Sequence, residues 1–190
     1  MRTPREAARV AVVDPQGAVF LFRYDNEEVG VHWAMPGGGL EPGEGPEEGA
    51  LRELREETGW ADVAPGPLLC TWEHDFTRAG VPVRQHEHIY LAHGPRRAPA
   101  ERAAAARAAD RILHWRWWAP AELAATPDAL WPPRLPELLA PLRGVGGAPL
   151  TPVDFGYVPN RAAQPGGPAG GPSGAGSAGR QGWVTEPDIG

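Results

Sequence analysis

The amino-acid sequence predicts a mixed domain of the α/β or α+β class, followed by a C-terminal tail without regular structure. Three observations lead there. Short apolar runs rich in Val, Phe, Trp and Ile recur between Gly, Pro and Asp turns, as strands do. Residues 46–58 switch to a helical period, and further alanine- and leucine-rich stretches interleave with the strands. From Gly144 onward lie 13 of the 25 glycines, in a stretch that includes "QPGGPAGGPSGAGSAGR" and has too little apolar surface to offset its ordering entropy. The folded domain is therefore read as residues 5–145, and residues 146–190 as a mostly disordered Gly/Pro/Ala-rich tail, in which "LTPVDFGYV" can still pack locally.

The elements follow in order. "AARVAVVD" and "VFLFRY" read as two strands around the turn "DPQG", and "VHWAMP" as a third that runs into three glycines. Pro46 suits a first helical position and Gly59 a helix end, which bounds the helix between them. "PLLCTWEHDFT" and "VPVRQHEHIYLAHG" read as a hairpin around "RAG". "AERAAAARAAD" is a helix by propensity, "ILHWRWWA" a strand, and "PAELAAT" and "PPRLPELLAPLR" are short helices.

Composition narrows the function. A net charge of −6 argues against general attraction to nucleic-acid polymers or anionic membranes. All 18 basic residues are arginine, which we read as coding bias. The single cysteine, Cys70, excludes an internal disulfide and a thiolate metal site, and its apolar surroundings mark it as a small core residue. The charged start "MRTPREAARV" is unlike a signal peptide, and no apolar run is long enough to span a bilayer. A cytoplasmic protein is expected.

The segment "GGGLEPGEGPEEGALRELREETGW", residues 37–60, crowds glutamates directly behind the most flexible backbone of the chain. On a helix, Glu53, Glu56 and Glu57 fall within about 100° of arc, while Ala50, Leu51 and Leu54 can face a core. Like charges at these spacings repel by a few tenths of a kcal/mol per exposed pair. Arg52 and Arg55 dilute that repulsion, so a salt-bridged surface helix is one reading. The other is an oxygen-ligand site for a hard divalent cation, Mg²⁺ before Mn²⁺, with Gly37, Gly38 and Gly39 letting a ligand approach the backbone.

The spacing decides between them. Gly38, Glu44, Arg52, Glu53, Glu56, Glu57 and Gly59 occupy every fixed position of G-x5-E-x7-R-E-U-x-E-E-x-G-U, where U is a bulky apolar residue. Leu54 fills the first U and Trp60 the second, where an aliphatic residue is more usual. This segment resembles the Nudix box, and the preceding "WAMPGG" and the later "HWRWWAPAEL" resemble flanking parts of Nudix domains.

The resemblance implies an α/β/α sandwich around a mixed sheet, and hydrolysis of a nucleoside diphosphate linked to another moiety with Mg²⁺, for which Mn²⁺ can substitute. It implies metal ligation by Glu53, Glu56, Glu57 and the Gly37 carbonyl, substrate contacts from Gly37, Gly38 and Gly39, an orienting role for Arg52, and internal contacts for Glu44. The general base is left open among Glu53, Glu87 and Glu101. His86 and His88 share a strand face but lack a third nitrogen or sulfur ligand nearby in sequence. Among the tryptophans, alternation sends Trp115 and Trp117 one way and Trp118 the other. Trp33, Trp72 and Trp117 are the candidates for stacking on a nucleobase.

Substrate markers outside the box are absent. Asp75 and Phe76 stand where ADP-ribose hydrolases often carry proline, and Thr77 and Arg78 where dinucleoside polyphosphate types tend to carry tyrosine. A nucleoside triphosphate or modified nucleotide leads, ahead of a dinucleotide or nucleotide sugar. The rivals are a nucleotide-sensing module that does not cut, and an isoprenoid-diphosphate isomerase supported only by Cys70. A homodimer is compatible with all of these.

Overall fold

A computed structural model of the protein describes residues 1–142 and 151–159. Its centre is β1 (Thr3–Val13), buried from Ala7 to Val13. β2 (Val19–Asn26) returns antiparallel but pairs with β1 only at Val13↔Val19. Beyond that bridge the two strands part. β1 takes β4 (Gly37–Gly39) on the vacated edge, and β2 takes β7 (Ile112–Trp118). β3 (Gly30–Ala34) pairs antiparallel with the other side of β2.

On its far side β1 runs parallel to β6 (Val81–His93) along its whole length, from Thr3↔Val83 to Val13↔His93. β6 forms the expected hairpin with β5 (Leu68–Arg78). Two short strands complete a nine-stranded mixed sheet: β8 (Leu130–Trp131) beside β3, and β9 (Val153–Tyr157) beside β5. The glycine triplet into which "VHWAMP" runs is thus itself a strand.

Helix α1 (Pro46–Thr58) has the predicted limits. Pro46 opens it, Glu48 Oε2 accepts from the Gly45 N–H at 3.0 Å, and Gly59 closes it in the left-handed region at φ 76°. Its buried face, Ala50, Leu54, Glu57 and Thr58, packs on β1 and β4. "AERAAAARAAD" is not one helix: a 3₁₀ turn at Glu101–Ala103 leads into α2 (Ala104–Ala109), and the chain leaves it at Asp110. α3 (Pro120–Ala125) and α4 (Leu135–Leu139) pack on each other. Among the described residues no helix is long and apolar enough to cross a membrane.

The core is aromatic. Phe20 meets Trp115 and Trp117, whereas Trp118 meets Trp33, so the alternation along β7 sends them to different neighbours. Cys70 is buried, with burial pushing its thiol up to about 12.

The sheet extends past residue 145 through β9. Val158 N donates to Glu73 O at 2.8 Å, Thr71 Oγ1 to Asp154 Oδ1 at 3.0 Å and Tyr157 Oη to Asp75 Oδ2 at 3.0 Å. Residues 143–150 and 160–190, which hold the rest of the expected tail, lie outside the described residues. A chain ending at Leu142 should lose these bonds, each contributing about 1 kcal/mol. Its melting temperature should fall by roughly 6–12 °C. An unchanged melting temperature would show that β9 adds nothing to the sheet.

Candidate active site

Glu53 and Glu57 are brought together from successive turns of α1, and a third carboxylate, Asp110, joins them from the end of α2. One oxygen from each lies within 4.8 Å of the others. The site stands where β1 and β2 part, because β4 fills only part of the gap and carries Gly37 and Gly38 up to the helix. A Cβ on Gly38 would sit 2.6 Å from a Glu53 carboxylate oxygen, so a larger residue there would push that carboxylate out of its place.

Glu57 is 1% exposed. It accepts from the Gly37 N–H at 2.8 Å and from Tyr24 Oη at 3.2 Å. Burial pushes its carboxyl well above the ordinary value, and neighbouring Glu53 adds to the rise. Burial also raises Glu53, against the pull of Arg52. Carboxylates held this way lack counter-charge, and the all-oxygen donor set suits a hard divalent cation.

Arg52 organises the rim. It grips Glu44 with two bonds of 2.8 and 3.0 Å, and donates to Glu53 at 2.9 Å, to Gly39 O at 3.0 Å and, more loosely, to Glu56 at 3.4 Å. Both Glu44 oxygens are thus engaged, one of them also by the Glu41 N–H at 2.9 Å. Glu44 thus stands apart from the three-carboxylate group. Glu56 is exposed and stands outside the three-carboxylate group.

Beneath the site lies a buried ionic network. Arg9 Nε donates to Glu87 Oε1 at 2.9 Å, and its Nη1 to Met35 O at 2.8 Å and Gly37 O at 3.2 Å. The Gly37 carbonyl, expected to face a metal, therefore already accepts from a guanidinium. Glu87 also accepts from Trp72 Nε1 at 2.9 Å and from Gln85. Burial alone would raise its pKa, but Arg9 and His74 overcome that and hold it below the usual carboxylate range. This removes Glu87 as a candidate base: it is 0% exposed and already paired. Glu101 is exposed at the start of its 3₁₀ turn and does not join the carboxylate group.

A cleft of about 320 Å³ adjoins the carboxylates, with Gly38 and Asp110 on its wall. Arg5, Arg78 and Arg111 line it with cationic groups, and Tyr24, His32, Phe76 and Trp131 with rings. Burial lowers His32 to about 4, so it is a neutral ring at pH 7, stacked on Trp131 at 3.8 Å. None of Trp33, Trp72 and Trp117 is on this wall. Each donates its indole N–H elsewhere, to Asp128, Glu87 and the Arg97 carbonyl. Trp131 and Asp110 carried no local signal, since tertiary pairing alone brings them here.

The NUDIX domain family model matches residues 3–139. The chain belongs to the Nudix hydrolase family. An RNA pyrophosphohydrolase of Erythrobacter litoralis (strain HTCC2594) is 34% identical over 130 residues, covering 63% of this chain and 78% of the relative. An 8-oxo-dGTP diphosphatase of Proteus vulgaris is 42% identical over 66 residues, covering 34% of this chain and 58% of the relative. A MutT protein from Methanosarcina mazei Go1 superposes with a TM-score of 0.55 at 16% identity, over 73% of this chain and 91% of that one. That likeness is one of fold. The Nudix fold thus accounts for the mixed sheet and for the box helix set against it.

Two outcomes follow from the buried charges. Arg9→Met strands Glu87 without its cation and should cost about 3–5 kcal/mol in urea unfolding; a loss under 1 kcal/mol would mean the pair is not needed. Glu57 has the opposite sign. Its folded pKa lies above the ordinary 4.5, so the folded chain holds a proton the unfolded chain has released, and stability falls as pH rises through that window. Without divalent metal, Glu57→Gln should match the native protein near pH 4.5 and exceed it above pH 7. A less stable variant at pH 8 would contradict this.

Proposed function

We propose that this Nudix pyrophosphatase is a metal-dependent hydrolase of a nucleoside diphosphate linked to another moiety, with a nucleoside triphosphate or modified nucleotide as its substrate. The observation that carries the reading is the adjacency of a three-carboxylate cluster, running from buried Glu57 to exposed Asp110, to a cleft that offers both arginines and aromatic rings. A polyphosphate bearing a planar base needs those three things together: cations for its oxygens, carboxylates to hold a neutralising metal, and a ring surface for the base.

Glu53, Glu57 and Asp110 would hold Mg²⁺, or Mn²⁺ in its place. Glu56, exposed and only loosely held by Arg52, can turn to the same cation at the rim, as the Nudix box implies. When bound, the ion neutralises phosphate oxygens and makes water more acidic. The chain's own residues do the rest. Arg5, Arg78 and Arg111 hold the phosphates, and Tyr24, His32, Phe76 and Trp131 seat the base. Water attacks phosphorus, the phosphoanhydride P–O bond breaks toward the leaving phosphate, and the proton passes to a carboxylate. Glu53 is the base: burial raises its pKa toward the working range, and Arg52 fixes one of its oxygens.

A second reading has specific support. The relative from Erythrobacter litoralis is named for RNA pyrophosphate hydrolysis, and the 5′ end of RNA can present the same triphosphate and base. A Mg²⁺-dependent phosphate-release screen over free nucleoside triphosphates, 8-oxo-dGTP, dinucleoside polyphosphates, nucleotide sugars and 5′-triphosphorylated RNA separates the two. Turnover of free triphosphates supports the first reading, and turnover of RNA alone the second. Binding without release would indicate a nucleotide sensor.

Exhaustive chelation should abolish turnover, and Mg²⁺ or Mn²⁺ should restore it. Glu53→Gln should lose on the order of 10²–10⁴-fold, with no rescue by added metal. Glu56→Gln, Glu57→Gln and Asp110→Asn should be partly rescued by raising Mg²⁺. Arg52→Ala should lose both rate and stability. Undiminished activity after chelation would overturn the mechanism.

A further inference from the structure

The parallel pairing of β1 with β6 brings together three residues that the box chemistry does not use. Glu6 stands opposite His86 in the register, and Ala8 opposite His88, where its small side chain leaves room between the imidazoles and the carboxylate. His86 and His88 share the sheet face opposite to that of the buried Gln85 and Glu87, and their ring centroids are 4.7 Å apart. A ring nitrogen from each and an oxygen of Glu6 all lie within 4.8 Å of one another. We propose that Glu6, His86 and His88 form a second metal site, distinct from the box carboxylates, for a cation of the zinc class.

The spacing of the donors supports this quantitatively. Ligand atoms about 2.0–2.1 Å from a tetrahedral zinc stand roughly 3.3 Å from each other. Here Glu6 Oε2 lies 3.1 Å from His86 Nδ1 and 3.9 Å from His88 Nδ1, values that bracket that separation.

The polar accounting points the same way. A hydrogen bond between His86 and Glu6 explains the shorter contact. It does not explain His88, whose Nδ1 is buried and has no hydrogen-bond partner. Buried polar atoms are usually satisfied, and this one faces a carboxylate and a second imidazole, an arrangement that a cation would satisfy.

Donor chemistry selects the ion. Two imidazole nitrogens and one carboxylate oxygen are a borderline set, suited to Zn²⁺, Co²⁺ or Ni²⁺, whereas Mg²⁺ prefers oxygen alone. Three protein donors leave the fourth tetrahedral position to water. Glu73 lies directly across the β5–β6 hairpin from His86 on the same face, one carboxylate near that position in a lining that also holds Arg2, Arg5 and Arg84. An ion here would fasten β1 to β6, the longest pairing in the sheet.

The test uses the full chain, stripped of metal and then held in excess Mg²⁺ to occupy the box carboxylates. Calorimetric titration with Zn²⁺ should give one ion per chain, and the melting temperature should rise with Zn²⁺. Titration with Co²⁺ should produce the visible absorption of a low-coordinate nitrogen–oxygen site. His88→Ala, His86→Ala and Glu6→Gln should each weaken Zn²⁺ binding at least tenfold. Glu6 and His86 are the more exposed pair, so their variants keep the test valid if His88→Ala folds poorly. No Zn²⁺ binding, unchanged affinity in the Glu6 and His86 variants, or loss of binding only in Glu53→Gln and Glu57→Gln would each overturn the proposal.

Discussion

Arg9 is a guanidinium buried at the point where β1 and β2 separate, and its need for partners shapes everything around it. A charge of this size cannot be left unpaired away from water, and its planar fork requires acceptors in fixed directions. β6 supplies Glu87, the β3–β4 connection supplies the Met35 carbonyl and β4 that of Gly37, and the Tyr24 ring from β2 lies 5.5 Å from the guanidinium. One side chain thereby sets the register of the parallel pair, the arrival of the glycine strand and the wall of the cleft. The same positive charge lies beneath Glu57 and offsets only part of the rise that burial imposes on its carboxyl.

The site is consequently built from opposed tendencies. Desolvation pushes Glu53 and Glu57 toward their protonated forms, while Arg9 and Arg52 pull them back. The balance remains short of positive charge, which a divalent ion would supply. Function and stability are thus in tension at α1. Its buried face combines Ala50 and Leu54, which hold the helix on the sheet, with Glu57, whose carboxyl burial drives toward the protonated form. Arg52 relieves part of that tension by tying the helix to the Glu44 loop and to Gly39, so the loop before the helix and the glycine strand share one cation.

Much of this was legible in the sequence where the signal is local. The limits of α1, the β5–β6 hairpin and the pairing of Glu53 with Glu57 follow from helix caps, turn residues and 3.6-residue periodicity. What depends on distant pairing was not. β8 is two residues long and β9 lies in a glycine-rich stretch, so neither carries a periodic pattern. Asp110 looked like the polar end of an alanine helix, and only the break at Ala103–Ala104 and the packing of α2 against α1 carry it to the carboxylates. Glu87 alternates along its strand as a surface residue would, yet it faces inward because Arg9 is there to meet it. Glu56 shows the limit of arc arguments: it lies within the same helical sector as Glu53 and Glu57, but its carboxylate turns outward to Arg52. His86 and His88 lacked a third partner only along the chain, since the parallel register brings Glu6 from 80 residues away.

The central claim is that a divalent cation sits among carboxylates drawn from α1 and from the end of α2. Anomalous scattering from crystals grown with Mn²⁺ tests it most directly. The account predicts a peak bounded by Glu53, Glu57 and Asp110, beside the cleft. With Mn²⁺ saturating, no peak there, or one held by Glu44 and Glu56 on the Arg52 side of the helix, would contradict it.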